Sequence, residues 1–224
     1  GSESPARPRL DQTRVLDLFR SSSAMLEGHF ELSSGMHSDR YFQCALLLEE
    51  PRLAEALARA LAENLRAKGH SFDVVIGPAL GAVTWAYEMA RALGARGLFA
   101  ERQNEEMCIR RGFVVKPTDK VLVVEDVITT GGSAREVIDV LRKQGVKPLA
   151  VGGIVNRSGK NPFEADGLPL FALAEVEVKQ WKKEDCPLCK AGGKAIKPGS
   201  RAANAPAPAG YTLSLSLYRM RGTR

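Results

Sequence analysis

Histidine and cysteine are both scarce in this chain of 224 residues, at three and four copies, and aromatic side chains make up only 6% of it. Four cysteines without a regular framework do not describe a disulfide-stapled secreted domain, so free thiols and a reducing, cytoplasmic compartment are expected. Cys44 and Cys108 stand alone among apolar or mixed neighbours. Cys186-Pro-Leu-Cys189 has the spacing of half a zinc site, yet a closed tetrahedral site takes four ligands, and His29, His37 and His70 all lie far upstream. No protein-held metal is therefore expected. Long apolar runs are missing as well. No segment nears the roughly eighteen uninterrupted apolar residues of a membrane span, and the N-terminus lacks a charged-then-apolar signal pattern. Absent too are the Gly-Lys-Ser/Thr of a Walker loop and the Gly-x-Gly-x-x-Gly of a dinucleotide fold, which sets aside two common phosphate cradles.

What is present suits one well-cored domain: 44% hydrophobic and 26% charged residues. The net charge of +6 comes from lysines and arginines interspersed with acids, a pattern suited to anionic small molecules rather than to nucleic acid. Gly1-Ser2 reads as the scar of a cleaved tag, and residues 1–10 as a lead into the fold.

The chain is organised around residues 121–133, Val-Leu-Val-Val-Glu-Asp-Val-Ile-Thr-Thr-Gly-Gly-Ser. Four branched residues in a row predict a strand covered on both faces, as in a parallel sheet flanked by helices. Glu125 and Asp126 then fall at its carboxyl end, where open α/β sheets place their ligands. Val127, Ile128, Thr129, Thr130, Gly131, Gly132 and Ser133 lead into an amphipathic helix over 134–143, with Ser133 expected as its N-cap and Glu136 completing a capping box. Backbone amides and hydroxyls at a helix N-terminus make a phosphate site. Carboxylates repel phosphate, so the two acids must address another part of the ligand. Vicinal ribose hydroxyls are donors that suit them, and the ligand reads as a ribose 5-phosphate.

Around this centre the pattern predicts a helix over 10–20, two short strands joined by a turn over 25–44, and a helix over 51–69 with leucines at i,i+4. A strand over 72–76 and a helix over 82–93 flank the loop 77–81, a second candidate anion site at Leu80 and Gly81. A strand over 97–101 precedes a charged loop, 102–112, that carries Arg102, Arg110 and Arg111. Strands over 148–155 and 170–178 follow, the first opening into a loop with Asn156 and Arg157. Residues 191–224 read as a flexible tail, with one alternating stretch at 211–218. The alternation of strands and helices predicts an α/β fold, a doubly wound parallel sheet occupying 11–190, with a small N-terminal hood hairpin at about 25–45.

The 121–133 stretch resembles the phosphoribosyl pyrophosphate motif of type I phosphoribosyltransferases. Leu-Ser-Ser-Gly-Met-His-Ser-Asp-Arg-Tyr-Phe over 32–42, with Asn156 and Arg157, is similar to the orotate phosphoribosyltransferases, and the resemblance spans roughly residues 11–190. It implies transfer of a ribosyl phosphate from phosphoribosyl pyrophosphate to orotate in pyrimidine synthesis, with Mg²⁺ held through substrate oxygens and a homodimer. It also implies that Glu125 and Asp126 take the ribose hydroxyls and contribute to catalysis, Asp126 foremost. The 127–133 loop, Leu80, Gly81 and the three arginines then face phosphates, while Tyr41, Phe42, Thr129 and Arg157 face orotate. A transferase for another base, or a phosphoribosyl-pyrophosphate sensor that binds nucleic acid, are the alternatives. The 102–112 loop departs from the family in lacking lysine and histidine, and Ser33 and Gly81 stand where some relatives have a basic residue.

Overall fold

The computed structural model describes residues 10–32 and 34–198. Helix α1 (Gln12–Ser21) starts at Asp11, whose carboxylate accepts from the Arg14 amide at 2.9 Å, and it buries Val15 and Phe19 one turn apart. Strands β1 (Met25–Glu31) and β2 (His37–Phe42) form the expected hairpin. A short α2 (Ala45–Leu48) follows, then α3 (Pro51–Ala67), which opens on proline and buries Ala54, Leu57, Ala58, Leu61, Ala62 and Leu65 along one face. Strand β3 (Val74–Pro78) leads to α4 (Val83–Leu93) and β4 (Arg96–Gln103).

The segment expected to be an irregular loop after β4 is instead a hairpin. Asn104 and Glu105 both take positive φ at a tight turn, and β5 (Glu106–Cys108) pairs back on β4. Period-two alternation is hidden there by charged side chains on the exposed face. Strand β6 (Val121–Ile128), helix α5 (Gly132–Lys143), β7 (Ala150–Asn156) and β8 (Leu170–Glu175) complete the main unit, and a short β9 (Gln180–Trp181) and α6 (Pro187–Lys190) follow.

The main sheet has the order β5-β4-β3-β6-β7-β8, parallel throughout except for the β5 edge. The four branched residues of β6 show why it is central. Leu122 and Val124 pack with α3 and α4 in one core, Val121 and Val123 with Val137, Ile138 and Leu141 of α5 in the other, and all four are fully buried. Burial of each such side chain contributes about 1.5–3 kcal/mol. Chain order reverses between β3 and β6, and open α/β sheets bind their ligands beyond the carboxyl ends of the strands at such a switch point.

A second, antiparallel sheet of order β1-β2-β9 forms the hood. Its third strand comes from residues 180–181, a contribution the hairpin sequence does not announce. The segment expected to begin a flexible tail also folds back: Ile196 bridges Phe30, with the Ile196 amide donating to the His29 carbonyl at 2.8 Å and the Glu31 amide to the Ile196 carbonyl at 2.9 Å. The alternating stretch at 211–218 lies outside the described residues.

Candidate active site

Glu125 and Asp126 do not end β6, as the sequence suggested; the strand runs on to Ile128, where parallel pairing with β7 continues. The acids therefore sit on rigid backbone at the sheet's edge rather than on a loop. Burial beside Asp126 pushes the Glu125 carboxyl up to about 8, although the Ala134 amide at the start of α5 donates to it. Asp126 is also raised by burial, against which the Val127 amide donates to its Oδ1 at 2.9 Å. Two acids held above their ordinary range by burial would be stabilised as carboxylates by further hydrogen-bond donors. Neighbouring hydroxyl groups on a ligand would supply them without adding charge.

The cradle beside them differs from the expected capping box. Gly131 is the N-cap, in the left-handed region at φ 76°, and Ser133 lies inside the first turn. A Cβ at Gly131 would fall 2.8 Å from the Phe163 ring, so both the backbone angle and the space require glycine. Glu136 turns not to the cap but to Arg102, 2.7 Å away. Thr130 Oγ1 accepts from the Gly132 amide at 3.3 Å and tightens the turn.

The second loop meets the first. Gly77 lies so close to β6 that a Cβ there would be 2.8 Å from the Val124 carbonyl oxygen. Beyond it, the Ala79–Leu80 peptide is cis, Leu80 is exposed, and Gly81 rests against Asp126, whose Oδ2 would be 3.3 Å from an added Cβ. Of the three arginines, Arg102 reaches α5 through Glu136, itself an electrostatic neighbour of Glu125. Arg110 and Arg111 are held by Glu101 on their own hairpin, so they are not gathered with the acids. Arginine at all three positions offers forked donors for phosphate. Ser33 lies outside the described residues.

From the other side the hood approaches Asp126. Tyr41 is close enough to Asp126 for the aspartate's charge, with burial the larger cause, to raise the phenol's pKa. Phe42 packs edge-on against Phe19 at 5.6 Å. Arg157, only 4% exposed, runs from the end of β7 to the hood: its amide donates to the Ile128 carbonyl, its Nη2 donates to Ser38 Oγ at 3.2 Å, and its guanidinium lies 5.6 Å from the Phe42 ring centroid. Burial lowers its pKa, and its Nε has no partner among the described residues. A buried guanidinium beside an aromatic ring with a donor left over is a group that can pair with an anion. Ser38 is the residue that sequence reasoning missed. It is fully buried and also donates to the Lys179 carbonyl at 2.9 Å, so it ties Arg157 to the chain just before β9. Its only sequence signal was a small polar residue in an alternating strand. Thr129 lies half-buried beyond the end of β6, between the acids and the cradle. A groove of mixed charge lined by Glu55, Arg59, Glu63, Arg66, Glu88 and Arg91 lies on α3 and α4 and contains none of these residues.

A doubly wound sheet with paired acids and an anion cradle at its switch point is the arrangement of a phosphoribosyltransferase, and residues 46–162 match the family model described as phosphoribosyl transferase domain. The chain is 54% identical over 185 residues to an orotate phosphoribosyltransferase of Carboxydothermus hydrogenoformans, covering 82% of this chain and 95% of that one. It is 53% identical over 193 residues to the orotate phosphoribosyltransferase of Heliobacterium modesticaldum, covering 86% and 100%. The crystal structure of the orotate phosphoribosyltransferase from Aeropyrum pernix is similar with a TM-score of 0.59 at 28% identity, over 73% of this chain and 94% of that one. The chain belongs to the orotate phosphoribosyltransferase family.

Proposed function

We propose that the chain transfers the 5-phosphoribosyl group from phosphoribosyl pyrophosphate to orotate, giving orotidine 5′-phosphate and pyrophosphate. The observation that carries this reading is the Glu125–Asp126 pair on β6 with Tyr41 of the hood beside Asp126, and the buried Arg157 tied both to Ile128 at the end of β6 and to Ser38 of the hood. The 127–133 turn and the first turn of α5 take the 5-phosphate through backbone amides. Glu125 and Asp126 accept from the two ribose hydroxyls and fix the sugar. The bond from ribose C1 to pyrophosphate breaks with positive charge growing on the sugar, and Asp126 is the carboxylate that stabilises it. Leu80, Gly81 and Arg102 face the leaving pyrophosphate, and Arg110 and Arg111 reach it by exchanging the Glu101 carboxylate for its phosphates. Arg157 pairs with the orotate carboxylate, and Tyr41, Phe42 and Thr129 border its ring.

The reading includes Mg²⁺ held mainly through substrate oxygens and retained waters, in keeping with its preference for oxygen ligands. Bound so, Mg²⁺ would neutralise charge on the departing pyrophosphate. The reading includes a homodimer and a cytoplasmic location; no helix among the described residues is long and apolar enough to cross a membrane. The test is Arg157→Ala. Its KM for orotate should rise about 10- to 100-fold, as expected for a lost charge-assisted contact, while the KM for phosphoribosyl pyrophosphate changes far less. Equal losses for both would place the base elsewhere.

A further inference from the structure

The transfer chemistry leaves Cys186-Pro-Leu-Cys189 unused, and the fold gives it partners. In the hood, His37 pairs with Glu31, and His29 lies two residues along from Glu31, so both imidazoles leave the same face of the hairpin. Beta strand β9 pairs Trp181 with His37 and brings the following turn, with its two cysteines, onto that face. His29 Nε2 lies 3.4 Å from Cys186 Sγ and 3.6 Å from Cys189 Sγ, and His37 Nδ1 lies 3.4 Å from Cys189 Sγ. All four donor atoms lie within 4.8 Å of one another.

We propose that His29, His37, Cys186 and Cys189 form a structural Zn²⁺ site that clamps the C-terminal segment to the hood. With Zn–N bonds of about 2.0–2.1 Å and Zn–S bonds of about 2.3 Å, a tetrahedron has edges of about 3.3–3.8 Å. The three nitrogen-to-sulfur distances fall within that range. The two imidazole nitrogens stand 2.9 Å apart, and an ion between the ligands would open that edge by roughly 0.4 Å. The group contains no carboxylate, and two sulfurs with two imidazoles select zinc over magnesium or calcium. Binding releases two thiol protons, so two thiolates balance the charge of the ion. His37 and Cys186 are nearly fully buried, at 3% and 0% exposure, which closes the site to substrate and makes it structural rather than catalytic.

The physical need is clear from the hood's size. A two-stranded hairpin is marginal alone, and small units are commonly stapled by a metal. Here the staple would hold β9 against β2, next to the Ser38 hydroxyl that fixes Arg157.

The full chain, expressed with zinc supplied, should carry near-stoichiometric zinc by elemental analysis, and Co²⁺ in its place should give the intense visible absorption of a tetrahedral thiolate site. Chelation should lower Tm by about 10 °C, with recovery on adding Zn²⁺ but not Mg²⁺. Cys186→Ser with Cys189→Ser should bring zinc to background; where that variant fails to fold, the stripping and refilling of the wild-type chain decides. A wild-type chain that takes up neither zinc nor cobalt overturns the proposal, and so does a double variant that keeps its zinc.

Discussion

The two halves of the candidate active site are built in opposite ways. At the switch point of the main sheet, the acids and the proposed phosphate cradle come from one unbroken run, residues 121–133. The hood is assembled from 25–42 and 180–196, and contacts in it join residues 160 apart in the chain. The first half is rigid through local geometry. The second depends on closure of a long loop, whose entropy cost grows with chain separation and must be repaid by contacts such as Ser38 to Arg157.

Breaking the contiguous half should have the largest effect. Asp126→Asn keeps the shape of the side chain and removes its charge. Turnover should fall about 10²- to 10³-fold with an unchanged circular dichroism spectrum; near-normal turnover would remove Asp126 from catalysis.

That half was legible because its signals are local. Val121 to Val124 carried the two-faced burial, the acid pair its place at the sheet's carboxyl edge, and the glycines the turn. What failed there was fine structure. A serine before an amphipathic run suggested the N-cap, but Gly131 takes the left-handed angle that no β-carbon tolerates against Phe163, and the cap moved two residues earlier. The hairpin at β4–β5 was hidden because one charged, exposed face masks alternation in so short a strand. In the hood, the hairpin and Arg157 could be read, the latter only through resemblance. The contribution of β9 could not, since two residues carry no periodicity. The histidines that looked too distant for the cysteines are distant only along the chain, and spacing alone does not see across a sheet.

A smaller effect should follow from Gly131→Ala. Forcing a β-carbon into the left-handed region costs about 1–2 kcal/mol, so the KM for phosphoribosyl pyrophosphate should rise roughly tenfold while that for orotate moves little. A rise confined to orotate would mean that the cradle and the hood have been assigned to the wrong ligands.

A further test concerns pH. The folded chain holds a proton on Glu125 up to about 8, whereas an unperturbed glutamate loses it near 4.5. Between those values the unfolded chain binds fewer protons, so Glu125 makes stability fall as pH rises, with the full loss reached above about 8. Glu125→Gln should flatten this slope in urea midpoints compared at about pH 5 and about pH 8, and gain most at the higher pH. An unchanged slope would show that Glu125 is ionised and solvated in the free protein.

The most direct measurement is consumption of base by the full chain with phosphoribosyl pyrophosphate and Mg²⁺, with orotate run beside uracil, hypoxanthine and adenine. Turnover of orotate alone is the predicted result. Turnover of another base in its place, or tight binding of phosphoribosyl pyrophosphate with no base consumed, would contradict the account.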